Sequence, residues 1–386
     1  MTRPLPEPAR EPWDVAVVGA GVAGAVAAFR LARRGLAVLL VDKADWPRNK
    51  VCGGCVNAAA LQMLQASGLD GAAAAGQAYS AMRMAASGRD AQFALPAGRA
   101  ISRREFDAAL VEAARAAGVS FMSATRAALG DCDAQSRWLH LRRADEQVAT
   151  RARIVLACDG LGGRLFGGDA EVAPASRIGA GTILDAATAP ALADYPPGVI
   201  HMACAPDGYV GLVRVENDDL NIGAALDPAW VKRVGGPPAA VAHILESAGL
   251  PPIDGLDRAR WRGTPHLTRR YPRLGAERLL ALGDAAGYVE PFTGEGMAWA
   301  IASAAAIEPF AVTDWRDGLI DQWTARHRDL VSSRQRACRG VAALLRRPRL
   351  VSGAVRMAAA APIAAAPLTA WLNRDFRLQT AKAVAL

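Results

Sequence analysis

The segment WDVAVVGAGVAGAVAAFRLARRGLAVLLVD, residues 13–42, decides how this chain begins to fold. Its first six residues form a short run of β-formers that ends at Gly19. Residues 22–33 follow as an apolar, alanine-rich helical pattern, with Gly35 just past its end. Residues 36–41 are a continuous apolar run, which is typical of a parallel strand buried on both faces. The segment therefore predicts a complete β-α-β unit.

The glycines of this unit have the spacing of a dinucleotide-binding loop. Gly19 permits the tight turn, Gly21 lets backbone N–H groups approach a pyrophosphate, and Gly24 lets helix and strand pack closely. The N-terminus of the helix directs its partial positive charge at the phosphates. Asp42 ends the second strand, where its carboxylate can accept hydroxyl groups of a ribose. The sequence therefore predicts a nucleotide cofactor at this edge of the sheet.

The composition of the chain limits the classes of protein and of partner that are possible. The chain has 386 residues, 52% of them hydrophobic, with 45 Lys and Arg against 37 Asp and Glu, for a net charge of +8. So high an apolar fraction supports a large core and excludes a disordered chain. The positive charge favours an anionic partner without naming one. Six cysteines in so long a chain do not indicate an extracellular disulfide framework.

Further parallel-strand patterns recur along the chain. Residues 153–158 and 278–284 repeat the buried apolar character of the first unit, and short β runs at hairpin-like spacing fill residues 177–227. Residues 102–118 are the clearest helical pattern, with Ser102 and Glu105 as a capping box. The region from residue 315 onward is helical and rich in arginine. We expect one discontinuous α/β domain interrupted by a mainly antiparallel β domain.

Two further motifs, each after a buried strand, complete a recognisable set. Residues 158–164 read CDGLGGR, and residues 282–287 read LGDAAG and continue into EPFTGEG at 290–296. With the glycine loop, they resemble the three fingerprints of the FAD-dependent family that contains p-hydroxybenzoate hydroxylase, geranylgeranyl reductases and flavin-dependent halogenases. The likeness covers residues 13–305. Gly163 stands where the family usually has Ser.

The resemblance implies a fold and its boundaries. It implies an α/β protein in which residues 1–76, 100–165 and 270–312 form a discontinuous Rossmann-type FAD-binding domain. Residues 77–99 and 166–269 then form an inserted, mainly antiparallel β-sheet domain for the substrate, and residues 313–386 form a helical C-terminal segment.

The resemblance also implies the residues that hold FAD. Asp284 takes the place of the acid that binds the ribityl chain, and Arg103 that of an arginine near the phosphates, with Arg104 as a substitute. Residues 47–54, PRNKVCGG, resemble a segment that runs beside the isoalloxazine in geranylgeranyl-reductase-like members. The expected cofactor-binding residues are Gly19, Gly21, Val22, Ala23, Gly24, Asp42, Lys43, Arg48, Lys50, Cys52, Gly53, Arg103, Asp159, Gly160, Gly283, Asp284, Pro291, Gly294, Glu295, Gly296 and Met297.

Cys52 and Cys55 form a CxxC pair with more than one interpretation. A zinc site is not expected, because no second CxxC or paired histidine accompanies it. A redox dithiol is an alternative, because Cys55 precedes an apolar helical stretch whose N-terminus could lower a thiol pKa. Flavin disulfide reductases, however, carry a second dinucleotide fingerprint for NADPH, and this chain has only the one at residues 19–24. Packing beside the flavin is the preferred interpretation.

The expected activity is that of an FAD-dependent oxidoreductase. The first hypothesis is an NAD(P)H-dependent monooxygenase that hydroxylates an apolar aromatic or polyketide-like molecule through a flavin C4a-hydroperoxide. Cys52, His201, Tyr209, Glu290 and Pro291 are its candidate catalytic residues. The alternative is geranylgeranyl-reductase-like hydride transfer to an isoprenoid or lipid chain. Flavin disulfide chemistry through Cys52 and Cys55 is a third possibility.

Two motifs that would identify the reaction are missing or incomplete, which argues against halogenation and weakens the prenyl-reductase alternative. The Trp-x-Trp-x-Ile-Pro motif of halogenases is absent, and only Tyr209 matches the aromatic motif of prenyl reductases. With a single dinucleotide fingerprint, electrons are expected from a transient NAD(P)H encounter or from a donor protein.

Partners and location follow from composition and pattern. Residues 357–372 are apolar but interrupted by two prolines and too short to span a bilayer, and the N-terminus lacks the apolar core of a signal peptide. A cytoplasmic protein is expected, which the arginine-rich C-terminal region could bring to a membrane surface. An apolar small molecule is the expected substrate, and no nucleic acid or metal is expected.

Overall fold

The computed structural model describes residues 12–167, 170–186, 193–290, 292 and 294–360. The helices in chain order are α1 Val22–Arg33, α2 Ala58–Ala66, α3 Arg103–Ala116, α4 Pro228–Val234, α5 Pro237–Ala248, α6 Gly296–Ala306, α7 Glu308–Val312, α8 Leu319–Leu344 and α9 Pro348–Ala360.

The strands in chain order are β1 Trp13–Val18, β2 Val38–Val41, β3 Cys55–Val56, β4 Gln77–Ala86, β5 Arg89–Ala100, β6 Ser120–Met122, β7 Arg126–Cys132, β8 Arg137–Arg143, β9 Glu146–Ala157, β10 Glu171–Val172, β11 Ile178–Leu184, β12 Val199–Ala205, β13 Gly208–Arg214, β14 Leu220–Leu226, β15 Arg262–His266, β16 Arg269–Arg270, β17 Gly275–Ala276, β18 Leu279–Ala281 and β19 Gly287–Tyr288.

The first sheet is built on the β-α-β unit that the sequence predicts. Its order is β17-β18-β9-β1-β2-β6, with β7 and β8 added beside β9. The pairs from β18 to β6 are parallel, and Val17 on β1 lies between Leu40 on β2 and Leu156 on β9. Each of these three side chains is fully buried, because helices cover the sheet. The carboxyl ends of the parallel strands therefore meet at one edge.

The second sheet is mainly antiparallel, in the order β15-β11-β14-β13-β12-β4-β5-β3. Only the β12–β4 pair is parallel. The helices α4 and α5 cover one face, where Ile244 and Leu245 join Val210 and Leu212 in one buried cluster. The strand β3 comes from residues 55–56, inside the range assigned to the FAD-binding domain, yet it pairs with β5 of this sheet. The opposite face is turned towards the first sheet's glycine loop.

The C-terminal helices bind the two sheets together. Trp323 of α8 is fully buried and donates from Nε1 to the carbonyl oxygen of Ala281 at 2.8 Å. Val351 and Val355 of α9 pack in a cluster with Ala86 and Ala91 of β4 and β5. Residues 361–386, which include most of the apolar stretch 357–372, lie outside the described residues.

The α/β fold class is confirmed: a parallel Rossmann-type sheet, an antiparallel sheet and C-terminal helices. The exact domain boundaries stay a prediction. Within the described ranges, none of the helices combines the length and the apolar character needed to cross a bilayer.

Candidate active site

The glycine loop between β1 and α1 has the geometry that its sequence predicts. Gly19 has φ +105°, and a Cβ there would lie 2.2 Å from the carbonyl oxygen of Cys158, so only glycine fits. A Cβ on Gly24 would lie 1.9 Å from the carbonyl oxygen of Gly19. Asp42 accepts hydrogen bonds from the backbone N–H groups of Ala20 and Ala44, both at 2.9 Å. The loop and the end of β2 are thereby held together.

Two arginines lie above Gly21. A Cβ on Gly21 would meet only the Nη2 atoms of Arg48 and Arg103, at 3.4 and 3.6 Å. Arg103 donates to both carboxylate oxygens of Asp107, at 2.8 and 2.7 Å, and Arg48 lies over the Trp46 ring. Gly21 therefore lines the cavity directly beneath two cationic groups, which suits an anionic ligand.

The charge of Arg103 is secured by Asp107. Burial by itself would lower the pKa of Arg103, but the charge and hydrogen bonds of Asp107 outweigh it and raise the pKa. The buried Nη1 atom of Arg48 lies 3.0 Å from an Asp107 oxygen, but no described residue accepts a well-directed hydrogen bond from it. Arg104, the suggested substitute for Arg103, instead donates to the carbonyl oxygen of Pro47 at 3.2 Å.

A large cavity joins this loop to the second sheet. Its empty space, including the open mouth, is about 1710 Å³. The glycine loop, Lys50, Arg103 and Asp284 lie on one side. The opposite wall is mostly apolar and is formed by Tyr79, Met82, Leu95, Pro96, Ile200, Met202, Tyr209, Leu267 and Phe292. The cavity thus combines a polar cofactor side with an apolar substrate side.

The loop of residues 50–54 forms the middle of the cavity wall. Lys50 Nζ lies 3.2 Å from Asp284 Oδ2, and both residues are partly exposed to the cavity. The carbonyl oxygen of Cys52 accepts from the Nδ2 atom of Asn221 on β14 at 3.0 Å. Lys50, Cys52 and Asp284, all predicted cofactor contacts, are brought together here.

The CxxC pair does not have the low thiol pKa that the redox-dithiol alternative requires. The expectation that a helix N-terminus lowers the pKa of Cys55 is wrong: burial, and then Cys52, raise that pKa. The helix α2 begins only at Ala58, and its cap is the side chain of Asn57, so Cys55 lies on β3 instead. All six cysteines are free thiols in this structure. Cys52 and Cys55 both line the cavity, and Cys55 is almost fully buried.

Asp159 explains why glycine stands at position 163. Its Oδ2 atom accepts from the backbone N–H groups of Arg164 and Leu165, at 2.8 and 3.0 Å. A Cβ on Gly163 would lie 2.2 Å from the Asp159 carboxyl carbon, so the family's serine could not stand there without a shift. Burial raises the pKa of Asp159 despite these bonds. Gly160 lines the cavity, close to Lys50.

The loop before α6 brings several predicted contacts to the cavity. Gly294, Gly296 and Met297 line it, and the N-terminus of α6 places a partial positive charge there. The Glu295 side chain is directed elsewhere, because it accepts from Trp299 Nε1 at 3.0 Å and Arg334 Nη1 at 2.8 Å. Pro291 lies outside the described residues.

The remaining predicted cofactor contacts lie outside the cavity lining. Gly283 holds the turn that carries Asp284, and its N–H donates to Ser303 at 3.1 Å. Lys43 is exposed at the end of β2. These positions border the glycine-loop side rather than the apolar side.

His201 does not face the active site, and that prediction is wrong. On β12 its neighbours Ile200 and Met202 line the cavity, and His201 is absent from the lining within the described residues. Successive side chains of a strand point to opposite faces, so His201 lies behind, against Tyr195. Burial lowers its pKa to about 4, so it is neutral near pH 7.

Glu290 also lies outside the cavity lining. It forms an ion pair with Arg177 at 2.9 Å, and both side chains are 1% exposed. Arg177 lies over the ring of Tyr209, which does line the cavity, edge-on to Phe292. Glu290 therefore supports the Tyr209 wall through Arg177, and it does not line the cavity formed by the described residues, where a catalytic residue is expected.

Sequence reasoning misses most of the apolar wall. Nothing in the sequence singles out the wall residues Tyr79, Met82, Ile200 and Met202. The alternation of inward and outward side chains along β4 and β12 could have indicated which of them share a face. Asn221 and Arg177 carry no local signal, because their partners lie 169 and 113 residues away.

The site fits FAD on its own geometry. Two cations lie above Gly21, and the carboxylates of Asp42 and Asp284 lie at the ends of β2 and β18. Residues 12–308 match the family model described as FAD binding domain. The chain belongs to the FAD-binding domain family. It is an FAD-dependent oxidoreductase.

Named relatives within this group are mainly reductases. The chain is similar to a menaquinone reductase of Mycolicibacterium smegmatis, with 26% identity over 90% of this chain and 88% of the relative. It is similar to digeranylgeranylglycerophospholipid reductase 1 of Methanopyrus kandleri, with 28% identity over 82% and 87%. Conditioned medium factor receptor 1 of Dictyostelium discoideum is 26% identical over 78% of this chain, which spans only 64% of that longer protein.

Among solved structures, p-nitrophenol 4-monooxygenase from Pseudomonas putida has the same fold. It covers 94% of this chain and 98% of its own, with a TM-score of 0.74 and 16% identity. At that identity the likeness concerns the fold alone.

Proposed function

We propose that this protein reduces carbon–carbon double bonds of an isoprenoid or related lipid chain. The observation that carries the proposal is the apolar wall of the cavity opposite the cofactor side. Apart from cysteines and tyrosines, the ionisable residues that line the cavity all lie on the cofactor side. They are Lys50, Arg103 and Asp284. Such a wall suits a hydrocarbon chain. The similarity to menaquinone and digeranylgeranylglycerophospholipid reductases supports the same substrate class.

The glycine loop, Arg103 and Asp284 would hold FAD, which in its reduced form would supply a hydride for one carbon of the double bond. The chain supplies binding, orientation and exclusion of water. A proton must reach the neighbouring carbon. Tyr209 and Tyr288 line the cavity, and burial raises the pKa of both, so their hydroxyl groups stay protonated. Tyr209 and Tyr288, which line the cavity beside Cys52, are the proposed proton donors. NAD(P)H is the proposed source of electrons.

Anaerobic turnover tests this function. The purified protein with its FAD reduced under nitrogen is mixed with geranylgeraniol, and products are followed by mass spectrometry. We expect the flavin to reoxidise and the alcohol to gain two hydrogen atoms for each bond reduced. An alcohol that stays unchanged under nitrogen but gains an oxygen atom when air is admitted would contradict the proposal and restore the hydroxylase hypothesis.

We further propose that α9 brings the protein to an anionic membrane surface, where lipid substrates reside. Leu350 and Met357 are 48% and 66% exposed, beside the exposed Arg349 and Arg356. Exposed apolar side chains interleaved with arginines are the pattern of an interfacial helix.

The double variant Arg349→Glu/Arg356→Glu should bind vesicles of phosphatidylglycerol and phosphatidylcholine roughly thirtyfold more weakly than the parent. The measurement is co-sedimentation at low salt, with pure phosphatidylcholine vesicles as reference. Arg126→Glu/Arg142→Glu, exposed on β7 and β8, changes the net charge equally and is the control. Equal binding by both variants would exclude α9 as the contact.

A further inference from the structure

A buried ion pair lies directly behind the loop that begins α6. The Glu295 carboxylate accepts from Nη1 of Arg334 on α8 at 2.8 Å and from Nε1 of Trp299 on α6 at 3.0 Å. The Glu295 side chain is 1% exposed and that of Arg334 is 10% exposed. Water therefore screens this pair weakly, and its charges act at longer range than charges on the surface.

The pair lies close to the cofactor side of the cavity. Gly294 and Gly296, the neighbours of Glu295 in the chain, both line the cavity, whereas Glu295 is not among its described lining residues. Consecutive Cα atoms are about 3.8 Å apart, so the pair lies one layer behind the wall. Because none of the described α8 residues lines the cavity, the negative charge of the pair lies nearer to it than the positive charge of Arg334.

A charge at the start of α6 acts on the field that this helix directs at the cavity. Glu295 is the N-cap residue of α6, and the N-terminus of the helix carries a partial positive charge. A carboxylate at this helix end cancels that field. FAD gains negative charge when it is reduced, and a positive field beside it favours the reduced form. An uncompensated Glu295 carboxylate would therefore make FAD harder to reduce.

Arg334 opposes this effect of Glu295. Burial raises the pKa of Glu295, and the charge of Arg334 works against that rise, so Arg334 favours the ionised carboxylate. The same guanidinium places a full positive charge 2.8 Å from that carboxylate. The pair thereby contributes a smaller negative field at the cavity than Glu295 alone.

We propose that Arg334 is a positioning residue that raises the reduction potential of the bound FAD. It holds the Glu295 side chain on the α8 side of the loop and compensates the Glu295 charge, so that the start of α6 stays electropositive towards the cavity. The effect requires bound FAD but no particular substrate, so it does not depend on the proposed function.

Two variants at this pair test the role of Arg334. Glu295→Gln keeps the shape of the side chain and an oxygen for Trp299, but it leaves the Arg334 charge uncompensated. We expect the ratio of reduced to oxidised FAD at a fixed potential to rise roughly tenfold, which is ~30 mV for a two-electron couple. Adding Arg334→Met removes the cation without leaving a buried carboxylate, and it should reverse most of that rise.

The reduction potential is measured by anaerobic titration of the FAD-loaded protein against a reference dye, at about pH 8, where carboxylates are ionised. Glu308→Gln is the matched control. Glu308 is also a buried carboxylate in the first turn of a helix and pairs with Arg30 and Arg34, but it lies outside the cavity lining that the described residues form. The control should change the ratio of reduced to oxidised FAD by less than about threefold.

The potential separates an electrostatic role of Arg334 from a purely structural one. If Arg334 only holds the loop in place, the double variant loses FAD or unfolding free energy, but the FAD that stays bound keeps the full rise seen with Glu295→Gln. That result, or a Glu295→Gln potential equal to the parent's, overturns the proposal. Should the double variant retain no FAD, Glu295→Gln/Arg334→Gln, which can keep a hydrogen bond between the two side chains, replaces it. No substrate is present, so neither result bears on the proposed reduction of lipid chains.

Discussion

Gly21→Glu is expected to fold but to lose FAD. Gly21 lines the cavity, and a Cβ at this position would lie 3.4 and 3.6 Å from the Nη2 atoms of Arg48 and Arg103. A glutamate there would place its carboxylate against both arginines and occupy the region meant for the pyrophosphate. Losing two charged hydrogen-bonding partners weakens binding by roughly a hundredfold to ten-thousandfold.

The flavin content of the purified protein, read from its visible absorbance, measures this effect. Gly71→Glu is the matched control, because Gly71 is exposed, has no atom within 4 Å of its Cβ position and lies away from the cavity. It should stay yellow. A Gly21→Glu protein that retains a full complement of FAD would show that the phosphates bind elsewhere.

Arg177→Met is expected to cause the largest loss of stability. The guanidinium of Arg177 and the carboxylate of Glu290 are both 1% exposed and 2.9 Å apart. Removing one partner of a buried pair leaves an uncompensated charge, which costs about 3–5 kcal/mol of unfolding free energy. Arg346 lies 3.7 Å from Glu290 and offsets part of that cost. The Tyr209 ring also loses the cation above it.

Urea unfolding of the FAD-loaded protein measures the loss. The double variant Arg177→Met/Glu290→Met should be more stable than Arg177→Met alone, because no unpaired carboxylate remains buried. The control is Arg270→Met, whose ion pair with Glu171 is mostly exposed and should contribute less than about 1 kcal/mol. Equal losses for Arg177→Met and Arg270→Met would refute the structural role of the buried pair.

The cofactor half of this protein can be predicted because its signals are local. Gly19, Gly21, Gly24 and Asp42 lie within one β-α-β unit, where turn, helix N-terminus and strand end follow directly from the order of residues. The same local logic predicts the capping of α3 by Ser102, which accepts from the Glu105 N–H at 3.2 Å. Parallel strands then bring Asp284, far along the chain, to the same edge.

The substrate half can be predicted only in outline. Its β runs are visible as short segments, but which face of each strand meets the cavity depends on pairing with strands far away. For that reason sequence reasoning assigns His201 to the wrong face and suggests Glu290 as a substrate contact, although Arg177 binds it. The reactive thiol considered as an alternative for Cys55 is wrong for a related reason, because the burial of Cys55 in strand β3 cannot be read from a CxxC pattern.

By itself, the sequence determined the FAD-binding loop, the α/β class and the general chemistry, since these depend on contacts between residues close in the chain. Only the tertiary structure decided the shape and chemistry of the substrate cavity. Met82, Ile200 and Met202 are unremarkable in two separate strands, and they share one wall of the cavity only through the register of β4 and β12. Register depends on long-range pairing, and a one-residue slip would turn those side chains to the other face.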